Sequence, residues 1–65
     1  MIVDICVVRA PYVEREQFQA QLRDCASGHV VALSQYCPTV DGAMDQGYNK
    51  ADALGYAVAH NYSAT

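Results

Sequence analysis

The stretch Gly47-Tyr48-Asn49-Lys50-Ala51-Asp52-Ala53-Leu54, with the apolar run through Tyr62 behind it, constrains this chain most. It reads as the end of a strand, a tight turn and a capped helix. Asn49 suits the N-cap, because its side-chain oxygen accepts from a free backbone N–H in the first turn. Asp52, three residues on, returns that bond and favours the positive helix end. Ala51, Leu54, Val58 and Tyr62 recur at helical spacing, with small Gly55 beside them for close approach. The pattern predicts a helix from Asn49 to about Asn61, followed by fraying at Ser63-Ala64-Thr65.

The earlier residues must supply a sheet for that helix. Ile2 to Arg9 reads as a first strand rich in β-branched residues, with Val3, Ile5 and Val7 on the core face and Asp4 wetting the other. Ala10-Pro11 ends it and suits the start of a helix. A first helix is expected from about Tyr12 to Ala26, with Phe18, Leu22, Cys25 and Ala26 as a thin apolar stripe. Glu14 and Glu16 near its start and Arg23 near its end agree with the helix dipole. Ser27-Gly28 is its stop signal. His29 to Gln35 reads as a second strand, broken by Cys37-Pro38. Val40 and Met44 belong either to a short third strand, kinked at Asp41-Gly42, or to a structured loop. The expected fold is α+β: one domain over residues 1–65, ordered β-α-β-β-α, with two helices on one face of a two- to three-stranded sheet. That leaves the opposite sheet face, or the outer helix surfaces, for function.

Size and charge narrow the function. A chain of 65 residues hides only about 60% of its unfolded surface, so dimerisation or docking on a larger partner is a natural source of stability. Seven acids against four bases give a net charge of −3. After Asp24 come Asp41, Asp45 and Asp52, with Lys50 the only basic side chain. Direct nucleic-acid binding needs clustered Lys or Arg, so a basic protein surface is the better electrostatic match. No run is apolar enough for a bilayer helix, and Met1 to Val8 lacks a signal peptide's basic leader. Three cysteines, an odd number, suggest a reducing, cytoplasmic setting.

Candidate chemistry is sparse. Cys25 and His29, with Cys6, Cys37 and His60, are the conceivable metal ligands. No Cys-x-x-Cys pair exists, however, and Gly28 breaks the helix on which a four-residue spacing would matter. Buried cysteines acting as small hydrophobes are the plainer reading. Cys37 with a histidine lacks any nucleophile signature, so no enzyme, metal or cofactor is expected. Asp41 and Asp45 could serve turns and Asp52 a cap, but that leaves the shortage of cations in this half unexplained. Tyr36, Tyr48, Tyr56 and Tyr62 accompany the acids, and tyrosine is favoured at interfaces.

Two resemblances bear on this surface. Val31-Ala32-Leu33, Cys37-Pro38 and Gly47 to Leu54 resemble the strand–Pro–strand–Gly-x-Thr-x-Glu-Glu-Ala-Leu pattern of HicB-like antitoxin domains. Asn49 stands for the usual Thr, and Ala51-Asp52 for the paired acids, over about the last half of the chain. The helix expected between the first two strands stands where that family has a hairpin. The whole chain is also similar in kind to phage-encoded anti-CRISPR proteins, which are very small, often acidic and non-enzymatic. Many of those occupy nucleic-acid sites on Cas complexes.

The expected function is that of a non-enzymatic inhibitor in the host cytoplasm, monomeric or homodimeric. It would block the basic nucleic-acid-binding surface of a CRISPR-Cas effector complex. Asp41, Asp45 and Asp52 would supply charge, Tyr36 and Tyr48 contact area, and Glu14 and Glu16 a reserve site. The alternative is a HicB-like module that neutralises a small basic RNase toxin.

Overall fold

Alternation decides the architecture. In the computed structural model, which describes residues 1–11 and 13–64, strand β1 (Ile2–Arg9) is followed by a second strand, β2 (Phe18–Asp24). A helix was expected over these latter residues. Phe18 and Leu22 fit a helical stripe and a strand equally, being four apart. The discriminating residues are Ala20, buried with them, and Gln19, Gln21 and Arg23, which alternate to the other face. The start of the expected helix at Tyr12 and the last residue of the fraying expected at Ser63-Ala64-Thr65 lie outside the described residues. The other two are not frayed, Ser63 belonging to a strand and Ala64 N–H bonding to Val7 C=O at 2.8 Å.

β1 and β2 pair antiparallel, with Ile5 opposite Leu22 and Val7 opposite Ala20. Between them, Ala10 N–H extends the ladder to Gln17 C=O at 2.8 Å. A turn at Gly28, with φ 77°, then leads to β3 (Val30–Leu33), antiparallel to β2. The Asp24 side chain organises that turn, accepting from the Ala26 N–H at 3.0 Å and the Ser27 hydroxyl at 3.2 Å.

Pro38 precedes Thr39, which is extended at φ −131° and ψ 154° and accepts at Oγ1 from Gly42 N–H at 3.0 Å. This cap opens helix α1 (Val40–Leu54). The residues read as a third strand or loop, Val40 to Met44, are therefore its first turns. Asn49 lies inside it, and Asp52 stands in its last turn instead of its first. Gly55 in the left-handed region, φ 74°, ends it. Its N–H bonds to Asp52 C=O, and Tyr56 N–H to Ala51 C=O, a Schellman closure.

The expected C-terminal helix, Asn49 to about Asn61, is helical only as far as Leu54, and strand β4 (Ala57–Ser63), parallel to β1, takes the place of its second half. The sheet has four strands in the order β3-β2-β1-β4, and α1 is the one helix among the described residues. The fold is α+β as expected, with a strand in place of the first expected helix and of the second half of the C-terminal one, and the start of α1 in place of the third strand.

Ala43, Gly47 and Ala51 form the buried line of α1. They lie against Val3, Ile5, Val7, Phe18, Ala20 and Leu22, with Val40, Met44, Tyr56 and Val58 around the margin. Fully burying each of the larger aliphatic side chains contributes roughly 1.5–3 kcal/mol. No element among the described residues covers the opposite sheet face.

Candidate functional site

The outer face of α1 carries the expected acids. Asp41, Asp45 and Asp52 are four and seven residues apart, a spacing that returns them to one side of a helix. All three are exposed, and none makes an ion pair or side-chain hydrogen bond among the described residues. Asp41 suits the first turn. Asp52 faces the negative helix end with no basic residue in the last turn, an arrangement that works against stability.

Of the expected tyrosines, Tyr48 flanks this face on α1, half exposed, where its hydroxyl accepts from Asn61 Nδ2 at 2.6 Å. Tyr36 is exposed in the connection before α1. Tyr56 packs against the core, and Tyr62 stands beside Cys6 in the sheet register, so neither joins the acidic face. Glu14 and Glu16 occupy the β1–β2 loop, not a helix. Glu16 is paired with Arg9 at 3.3 Å, which weakens it as a reserve site.

The uncovered sheet face brings together residues whose association the sequence reading missed. Asp4 lies opposite Arg23 on one side and His60 on the other. Its Oδ1 accepts from Cys25 Sγ at 3.3 Å and lies 3.1 Å from His60 Nδ1. The thiol hydrogen bond is the largest influence holding the Asp4 carboxyl below its ordinary 3.8, with His60 adding to it. Cys25 is pushed above its ordinary 9.0 by desolvation first and by the Asp4 bond next. The carboxylate thus stands between thiol and imidazole, and its bond adds to desolvation in raising the thiol, whereas a cysteine nucleophile needs a lowered one.

The other cysteines do not converge on this cluster. Cys6 is buried on the same sheet face and Cys37 belongs to the core on the other. Among the described residues no three His, Cys, Asp or Glu side chains are grouped to hold a metal. No helix is long and apolar enough to cross a membrane.

A third feature is an open groove of about 410 Å³ between the β3 edge and the flank of α1. Leu33, Ser34 and Gln35 form one wall; Gln46, Asn49, Lys50 and Ala53 form the other. No family model, curated protein or solved structure matches this chain.

Proposed function

We propose that this chain is a non-catalytic binding module that covers the basic, nucleic-acid-handling face of a small RNase, in the manner of a HicB-like antitoxin domain. The observation that carries this reading is the unpaired row Asp41, Asp45 and Asp52 on one exposed helix face. Two details support the HicB-like form of it. A β1–β2 hairpin occupies the place where that family has one. Thr39 and Asp41 also stand at the helix start as that family's Thr-x-Glu pair would, with Gly42 at the second Glu and Cys37 at the Gly.

Charge spacing favours this partner over a Cas effector. From Asp41 to Asp52 the helix rises about 16 Å at roughly 1.5 Å per residue. Duplex DNA would present about ten charges over that length, at one per ~1.7 Å. Three carboxylates suit the compact phosphate-binding patch of a small enzyme better than a long nucleic-acid channel. Blockade of a Cas effector remains the second reading, supported by the same cation-free face.

The test pairs stability with binding. Asp52→Asn relieves an unfavourable dipole contact, so stability should rise by about 0.3–1 kcal/mol. Affinity for a co-purified basic RNase should fall, and fall further in Asp41→Asn plus Asp45→Asn, with a shallower salt dependence. Unchanged affinity in the double variant would remove the acidic face from the interface. Co-purification with a CRISPR complex in place of an RNase would favour the second reading.

A further inference from the structure

We propose that the groove between β3 and α1 binds an extended peptide ending in a carboxylate, which adds to the sheet as a fifth strand beside β3. The site adjoins the acidic helix face, Asn49 lying one turn from Asp45 and Asp52, and does not depend on that reading.

β3 is an edge of the sheet, so one side of its backbone faces no other strand. Ser34 N–H bonds inward to Ala20 C=O at 2.9 Å. Antiparallel alternation then turns the N–H and C=O of Leu33 outward, into the groove that Leu33 lines. A strand edge beside a helix flank is the arrangement in which a peptide gains affinity from main-chain bonds and specificity from side-chain contacts. The groove's volume of about 410 Å³ falls in the ordinary range for a ligand site.

The lining sets the chemistry. Gln35, Gln46 and Asn49 offer paired donors and acceptors to peptide amides. Lys50 is the one cation in the lining, and no carboxylate joins it, although the chain carries seven acids. The acids of α1 stay out of the lining, so Lys50 is the one charge that the groove presents. A carboxylate at the peptide terminus is its electrostatic complement.

The experiment is an amide-resolved NMR titration of the full chain. The probe is a pentapeptide mixture drawn from Val, Ile, Thr and Leu at four positions and ending in Asp with a free carboxylate. Saturable shifts are expected at Leu33 to Gln35 and at Gln46 to Ala53. Lys50→Gln should weaken binding by about fivefold, the upper range for an exposed charge pair. An N-methylated version of the mixture should bind about tenfold more weakly, since it loses a main-chain bond. Absence of shifts at millimolar peptide, shifts confined to β4, or equal affinity for the N-methylated mixture or an Asn-amide ending would each overturn the assignment.

Discussion

A methyl group placed on Gly47 would stand 2.9 Å from Ile5 Cγ2, and equally close to the Cβ of Ala20. The helix therefore meets the sheet at a point where only hydrogen fits. Gly47→Ala gains about 1 kcal/mol of helix propensity but must push apart two side chains anchored in the paired strands. Overpacking of this kind costs about 1–3 kcal/mol, so a net destabilisation of up to about 2 kcal/mol is expected. A lower urea midpoint would show it; a higher one would mean that the helix floats free of β1 and β2.

The helix start offers a discriminating pair. Thr39→Ala removes the acceptor for Gly42 N–H and should cost about 1 kcal/mol. Asn49→Ala, at the position where the sequence suggests a cap, should be neutral or slightly stabilising in mid-helix. Thermal melts that ranked the two in reverse order would place the helix start at the later residue.

Ser34 replaces a strand partner. Its Oγ accepts from the buried Ala20 N–H at 2.9 Å and donates to Gln35 C=O at 2.9 Å. Ser34→Ala orphans that N–H and should cost about 1–3 kcal/mol. Hydrogen exchange at Ala20 should accelerate beyond what global destabilisation accounts for; a purely global change would count against the side-chain bond.

Cys25 is the exposed thiol among three free cysteines. Because its titration is raised, it should alkylate slowly near neutral pH compared with a free cysteine. Asp4→Asn removes the charge beside it and should move the alkylation profile to lower pH. Identical profiles in the two proteins would deny the contact.

The same groups give stability a pH dependence whose signs differ. Asp4 is lowered on folding, so its contribution is present above its ordinary 3.8 and is lost as pH falls through the lowered value. Cys25 and Tyr62 are raised, Tyr62 chiefly by its hydrogen bond with Cys6. Their contributions are present below the ordinary values of 9.0 and 10.0 and are lost as pH rises through the raised ones. Denaturation midpoints should fall as pH drops below the ordinary Asp4 value and as it rises above the ordinary Cys25 value.

The first strand was legible because Val3, Ile5 and Val7 alternate with no competing period. β2 was not, since Phe18 and Leu22 satisfy two periods and the small Ala20 is a weak marker of the second. The helix was displaced for a related reason. Its buried line is Ala43, Gly47 and Ala51, almost without hydrophobic weight, so the larger Leu54, Val58 and Tyr62 drew the reading downstream. Asp41, Asp45 and Asp52 nevertheless share a surface, because their spacing suits the helix that forms. The Asp4, Cys25 and His60 cluster required the register of three strands, which no local pattern encodes.

A sheet covered on one side alone has a consequence for sequence drift. Substitution tolerance should follow position parity: Val3, Ile5 and Val7 of β1 and Phe18, Ala20 and Leu22 of β2 are held, while their neighbours vary. Cys6 would break the rule, being an even position shielded beside Tyr62. A shift of one residue in either strand would exchange the constrained set for the free one, so insertions within the strands should be far rarer than in the loop that joins them.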